Sequence, residues 1–264
     1  MKATEHLKKI RDFFITLWTW ITIPLLTVFF TIATISTVAR STLQDDLLLR
    51  WDWFLMGTSP FLALGNMQYP GWLASGVVLS YSYLVVTVIL GEFYLFYKSR
   101  FYFREFAAAF ALSVVIMAPG WLFLPALAPQ GRFIDNNYNL PVPAAMASQL
   151  EQYHPQSEIR SFLQTVRDVN SPLDSLPVST FPSAHICWAV LAGYYLFRSK
   201  RTVLAVALLP LLVLSSLGTV MLAEHYFVDI PAGVASAILA ILLVQKIVQQ
   251  EPERTTVVAT THQR

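Results

Sequence analysis

The sequence predicts an all-α integral membrane protein with six transmembrane helices. Hydrophobic residues make up 55% of the 264-residue chain, whereas charged residues make up only 13%. Soluble domains carry about a quarter charged residues, so this chain has roughly half the usual share. The few charges are also absent from long runs, and about 20 consecutive apolar residues are enough to cross a bilayer. A single soluble domain with a rich core would not explain uncharged runs of this length.

Six segments are long and apolar enough to be the predicted spans. Five of them contain no charged residue, and the last contains only one acid, Asp229. The six segments are residues 13–39, 71–91, 107–128, 181–197, 203–223 and 226–245.

Basic residues fall into three clusters that orient the predicted bundle. The clusters lie before the first span, between the second and third, and between the fourth and fifth. Because cytoplasmic loops carry an excess of Lys and Arg, all three clusters are predicted to be cytoplasmic, as are both termini. The protein is therefore expected to be a multi-pass cell-membrane protein. The clusters are Lys2, Lys8, Lys9 and Arg11; Lys98, Arg100 and Arg104; and Arg198, Lys200 and Arg201.

The chain is predicted to hold one membrane domain, residues 1–249, followed by a mobile tail, residues 250–264, that lacks apolar periodicity. Within the first external connection, 51-WDWFLMGTSPFLALGNM-67 has the aromatic and apolar residues of an interfacial segment. The longest polar loop, residues 129–180, is extracytoplasmic in this topology. It is expected to form one or two short helices broken near Pro155.

Two of the five histidines stand at helix ends beside apolar runs. His185 begins the fourth predicted span, and His225 lies in the short turn before the sixth. The topology assigns both to the extracytoplasmic face. Asp229 follows His225 by four residues, a spacing that shares one face of a helix. Its carboxylate could accept a hydrogen bond from one ring nitrogen of His225 and leave the other as a nucleophile or base. A structural His–Asp cap at a helix end is the alternative.

The residues before His185 suit an anion. Proline is tolerated in a first helical turn, and the free backbone N–H groups there attract anions. Ser183 adds a hydroxyl donor, so a phosphate could rest on this turn while His185 reaches its bridging oxygen. A helix start with a serine cap is the simpler alternative.

The motifs FPSAH, residues 181–185, and HYFVD, residues 225–229, resemble the second and third signature motifs of the type 2 phosphatidic acid phosphatase superfamily. These are membrane lipid phosphatases and phosphotransferases built as a six-helix bundle. The resemblance covers the six-helix plan and is most specific in the last third of the chain.

The resemblance implies a role for each residue of the two motifs. His225 would be the nucleophile that forms a phosphohistidine, and Asp229 would orient it. His185 would be the general acid, and Ser183 would help to hold the phosphate.

One phosphate-binding arginine of the family pattern is missing, because Thr219 occupies its position. Thr219 is then a candidate phosphate contact, but a transferring phosphoryl group also needs positive charge around its oxygens. Arg132 is the first choice to supply that charge, with Arg160 and Arg167 in reserve. The reserve residues could equally be exposed loop arginines. No metal or other cofactor is needed for such a site.

Two further segments resemble the inositol phosphorylceramide synthase branch of the superfamily. The stretch 122-LFLPALAPQGRF-133 looks like the proline-rich first motif of that branch, and 52-DWFLMG-57 looks like its acidic-aromatic upstream segment. That branch also tolerates Thr at position 219.

The expected function is therefore phosphoryl transfer from a lipid phosphate ester at the extracytoplasmic face of the membrane. Water as acceptor would make the protein a phosphatase, whereas an alcohol would make it a head-group transferase. A non-enzymatic six-helix transporter or scaffold is the alternative from another class. The sequence contains no nucleic-acid-binding motif, so no nucleic-acid partner is expected.

Overall fold

A computed structural model describes residues 43–135, 141–170, 181–200 and 202–261. These residues form ten α-helices and one π-helical turn, Gln130–Ile134, with no strand among them. The helices are α1 (Asp45–Met56), α2 (Pro60–Asn66), α3 (Gly71–Ser82), α4 (Leu84–Lys98), α5 (Arg100–Phe123), α6 (Ala144–Glu151), α7 (Ser157–Asn170), α8 (Ala184–Arg198), α9 (Thr202–Met221) and α10 (Asp229–Thr261).

Among the residues that the structure describes, three helices are long and apolar enough to cross a membrane: α5, α9 over Val203–Met221, and α10 over Asp229–Ile247. Helices α3 and α4 meet at 60° and would count as a fourth span if the bent pair crosses as one. The all-helical integral membrane class is thus supported. The full count of six spans and the side of the termini stay predictions, and the predicted first span, residues 13–39, lies outside the described residues.

The second predicted span, residues 71–91, is divided between two helices, α3 and α4. The break falls at Tyr83, between α3 and α4. On either side of it a hydroxyl hydrogen-bonds the carbonyl four residues earlier: Ser82 to Val78, and Thr87 to Tyr83. Such back-bonding competes with the helix ladder and often bends helices.

The fourth predicted span is shorter than expected. Helix α8 has 15 residues, which corresponds to about 22 Å, whereas the hydrocarbon core is about 30 Å thick. It packs among α5, α9 and α10, and its buried Leu191 and Tyr195 belong to the main apolar cluster. Its apolar composition therefore reflects burial against other helices as well as contact with lipid.

Part of the polar loop between α5 and α8 forms two helices, and the second of them packs against α3 and α9. Helices α6 and α7 flank Pro155, as the sequence predicted. Ile159 and Leu163 of α7 pack with Val77 of α3 and with Met221 at the end of α9. The end of α9 and Leu222, the residue that follows it, therefore pack against α7.

The last helix continues through most of the segment predicted to be a tail. Helix α10 extends to Thr261, so residues 250–261 are helical although they lack apolar periodicity. Adding residues to an existing helix is much easier than starting one, which periodicity alone does not register. The mobility of this segment stays a prediction.

Candidate active site

The turn after α9 begins as a Schellman C-cap. The carbonyl of Thr219 accepts hydrogen bonds from the N–H groups of Glu224 (3.1 Å) and His225 (2.8 Å), and the N–H of Ala223 donates to the carbonyl of Val220 (2.9 Å). Ala223 adopts a φ of 57°, the left-handed conformation that glycine usually supplies in this motif. The cap fixes the backbone of His225 directly behind the end of α9.

Asp229 begins α10 and reaches back over this turn. Its Oδ2 accepts from Nδ1–H of His225 at 3.0 Å and from the N–H of Tyr226 at 3.2 Å. The predicted His–Asp contact is present, but its basis is different, because His225 lies in a turn and not on a helical face. As the first residue of α10, the buried carboxylate also lies at the positive end of the helix dipole.

Asp52 of α1 holds the other half of the turn. Its two oxygens accept from the N–H groups of Phe227 and Val228, both at 2.9 Å. Burial raises the pKa of Asp52 to about 7; the two N–H donors oppose that shift, and nearby Asp229 adds to it. Sequence reasoning noted only the resemblance of the surrounding segment, and the lone acid within an aromatic run was the available signal.

Asp45 of α1 anchors the turn through a side chain. Its Oδ1 accepts from the hydroxyl of Tyr226 at 2.8 Å and from the N–H of Leu127 at 2.9 Å. Burial raises the pKa of Asp45 to about 6 against the lowering effect of these bonds. Tyr226, the residue next to His225, is thereby connected to α1 directly and, through Asp45, to the segment after α5.

Ser183 brings the FPSAH motif against the Nε2 side of His225. Its Oγ lies 3.2 Å from Nε2 of His225 and caps α8 by accepting from the N–H of Ile186 at 3.4 Å. Its own N–H donates to the carbonyl of Asp229 at 3.3 Å. A methyl group at Gly233 of α10 would lie 2.6 Å from the Ser183 carbonyl, so the close approach of α8 and α10 requires glycine there.

These bonds define the hydrogen-bonding state of His225. Nδ1–H donates to Asp229, so Nε2 carries the lone pair and accepts the hydroxyl proton of Ser183. The result is a chain of Ser183, His225 and Asp229 in which the outward nitrogen is the basic one. An oriented histidine of this kind can act as a nucleophile.

His185 lies across from His225 at the same site. The two ring centroids are 5.7 Å apart, with the rings at 68°. His185 also stacks on Tyr81 of α3, with centroids 4.9 Å apart and 17° between the planes. The structure therefore brings together the two histidines that the topology assigned to one membrane face.

Of the predicted arginines, Arg132 lies in the π-helical turn, and Arg160 and Arg167 lie in α7. Arg132, which is 5% exposed, donates to the Pro141 carbonyl at 2.9 Å and lies 3.8 Å from a carboxylate oxygen of Asp46. Arg160 donates to the Pro155 carbonyl at 3.0 Å. The side chain of Arg167 lies outside the described residues. A role in phosphate binding stays a prediction for all three arginines.

Thr219 supports the candidate site through its backbone. Its buried hydroxyl donates to the carbonyl of Ser216 at 2.7 Å within α9, and its carbonyl holds His225. The predicted contact between Thr219 and phosphate is untested. Within the described ranges, no group of three or more His, Cys, Asp or Glu side chains is arranged to hold a metal ion.

Comparison with known proteins identifies the family of the chain. The family model described as the PAP2 superfamily matches residues 47–243, a range that includes both histidines, Ser183 and Asp229. No curated protein and no solved structure matches the chain. Since the match covers well over half of the sequence, the protein belongs to the PAP2 superfamily.

Proposed function

We propose that the protein is a membrane lipid phosphatase or phosphotransferase that works through a phosphohistidine at His225, on the extracytoplasmic side of the membrane. Membership of the superfamily indicates phosphatase-type phosphoryl transfer. The observation that carries the finer proposal is the chain Ser183–His225–Asp229 with His185 opposite. Several apolar helices around this site are consistent with a substrate that resides in the bilayer.

In the first step, Nε2 of His225 attacks the phosphorus of a lipid phosphate. The N–P bond forms as the P–O bond to the lipid breaks, and His185 gives a proton to the leaving oxygen. Asp229 keeps Nδ1–H bound throughout and so stabilises the positive charge that develops on the His225 ring. Ser183 turns its hydroxyl from Nε2 to an oxygen of the phosphoryl group.

In the second step, His185 takes a proton from water or from an alcohol. The oxygen so activated attacks phosphorus, the N–P bond breaks, and Nε2 of His225 recovers its lone pair. The phosphoryl oxygens rest near the N-terminus of α8, where the helix dipole favours anions. Arg132 is the proposed source of further positive charge.

A head-group transferase of the inositol phosphorylceramide synthase type is the second candidate. One observation favours it: the 52–57 segment, which resembles that branch, supplies Asp52 to the turn that carries His225. Phosphatase and transferase use the same catalytic groups, so the acceptor alone separates them.

Purified protein given radiolabelled lipid phosphates, with and without inositol, ceramide or diacylglycerol, tests the proposal. Free phosphate as the sole product would contradict the transferase, and a labelled lipid product would contradict a pure phosphatase. His225→Ala should abolish turnover together with an acid-labile protein label, whereas His154→Ala, an exposed histidine on the same external face, should retain both. Unchanged turnover in His225→Ala would favour the non-enzymatic transporter or scaffold.

A further inference from the structure

We infer that Tyr81 is a positioning residue for the acid–base histidine: its ring holds the imidazole of His185, and its hydroxyl ties that ring to Glu224, the neighbour of His225. The inference rests on the proposed function, since it requires His185 to move a proton. Tyr81 lies in the last turn of α3, immediately before the break at Tyr83.

The stack constrains the ring of His185 without occupying its nitrogens. With the planes at 17° and the centroids 4.9 Å apart, Tyr81 covers one face of the imidazole. Both nitrogens lie at the ring edge and stay available to a leaving oxygen or to an acceptor hydroxyl. A half-buried histidine in the first turn of α8 otherwise has two side-chain torsions to fix, and a parallel aromatic face restricts both.

Three other elements hold Tyr81 in place. Phe162 of α7 packs edge-on against its ring, with centroids 5.8 Å apart and planes at 87°. Its hydroxyl donates to Oε2 of Glu224 at 3.4 Å. A methyl group at Gly218 of α9 would lie 3.1 Å from the Tyr81 β-carbon, so glycine permits this close approach of α3 to α9.

The arrangement links the two histidines mechanically. Tyr81 contacts His185 through its face and Glu224 through its hydroxyl, and Glu224 precedes the nucleophile in the chain. A shift of α3 would therefore change the distance between proton donor and leaving oxygen. Misplacing a reacting group by about 1 Å costs about 100-fold in rate.

The test distinguishes a loss of proton transfer from a general loss of stability. Tyr81→Leu removes the ring, and turnover is measured with dioctanoyl phosphatidic acid, whose alkoxide leaving group needs a proton, and with p-nitrophenyl phosphate, whose phenolate does not. The comparison uses kcat/KM, which reports formation of the phosphohistidine and not its breakdown, a step that both substrates share. We expect kcat/KM to fall about 100-fold with the lipid and less than 10-fold with the aryl ester, since general acid catalysis contributes about 10²–10⁴-fold. Tyr81→Phe keeps the stack on His185 and loses only the 3.4 Å bond to Glu224, so it should recover most of the loss.

A matched control removes a similar stack from the same helix. Phe110→Leu breaks the Phe110–Trp188 stack, also 4.9 Å between centroids, three residues further along α8. Phe110→Leu should lower the melting temperature without changing the ratio of the activities on the two substrates. If Tyr81→Leu does not fold, Tyr81→Met carries the same comparison.

Equal losses on both substrates, or none, would overturn the role of Tyr81 while the proposed function stands. The proposed function fails separately, if His225→Ala retains turnover of either substrate. An altered substrate ratio in Phe110→Leu would also count against the inference, because it would show that general loosening of α8 produces the same signature.

Discussion

Replacing Asp52 should release the turn that carries the proposed nucleophile. Asp52→Ala removes the acceptor of two backbone hydrogen bonds, those of Phe227 and Val228 at 2.9 Å. Hydrogen bonds to a charged group contribute about 1.5–3 kcal/mol each. The two together amount to about 3–6 kcal/mol. We expect the lower figure, because a carboxyl with a pKa of about 7 is only partly ionised at neutral pH and the two partly buried N–H groups gain access to water.

The activity should fall more than the global stability suggests. Since Asp52 contacts the turn backbone and not the reacting atoms, its loss displaces His225 and does not remove a catalytic group. A displacement of about 1 Å predicts a kcat about 100-fold lower. Asp52→Asn keeps one acceptor oxygen and should fall between the wild type and Asp52→Ala.

The assay is steady-state release of phosphate from a short-chain lipid phosphate, paired with thermal unfolding in the same detergent. Glu151→Ala, which removes an exposed acid from α6 on the same face, is the control and should match the wild type in both measurements. A wild-type kcat in Asp52→Ala, with the protein folded, would refute the view that Asp52 positions His225.

Three further predictions concern stability and are measured by thermal unfolding in detergent. Ala223→Gly should change stability by less than about 1 kcal/mol. Relief of a left-handed alanine, about 1–2 kcal/mol, is offset by the chain entropy of glycine and by the loss of a fully buried methyl group, about 0.8 kcal/mol; a loss of about 2 kcal/mol or more would contradict this. Burial raises the pKa of Glu224 to about 7 from 4.5, so the native state holds its proton more tightly, and stability should decline as pH rises from about 4.5 to 7, by up to about 3 kcal/mol. Glu224→Gln should flatten that decline, and an unchanged slope would exclude Glu224 as its source. Arg198→Met leaves the buried carboxylate of Glu105 without its partner at 2.6 Å and should lower the free energy of unfolding by about 3–5 kcal/mol. Adding Glu105→Gln should recover most of that loss, and no recovery in the double variant would argue against the ion pair.

The membrane class and the pairing of the histidines were predictable because both depend on coarse patterns. Long uncharged runs indicated helices in an apolar setting, and alternation of basic clusters placed His185 and His225 on one face. The rings do lie 5.7 Å apart. Apolarity does not distinguish lipid from protein as the surrounding medium, however, which is why the short, largely packed α8 was predicted as a full span.

The supporting residues of the site were not predictable from spacing. Asp52 meets Val228 across 176 positions of sequence, and Tyr81 meets Glu224 across 143. Nothing local in the sequence signals a hydrogen bond between elements so far apart. The His225–Asp229 contact was predicted correctly from a helical spacing, although a turn followed by a helix start produces the same contact.

The acids around His225 are explained by the donors of its turn. From Ala223 to Asp229 every backbone N–H has an acceptor: the carbonyls of α9 for the first three, Asp229 Oδ2 for the next, Asp52 for the two that follow, and the Tyr226 carbonyl for the last. Non-helical backbone at the end of a membrane bundle needs this complete pairing, because unpaired N–H groups are costly where water is scarce. Two buried carboxylates therefore serve first as acceptors that shape the turn. The same shape leaves Nε2 of His225 as the basic atom facing Ser183 and His185, so the folding requirement and the chemistry are met by one set of bonds.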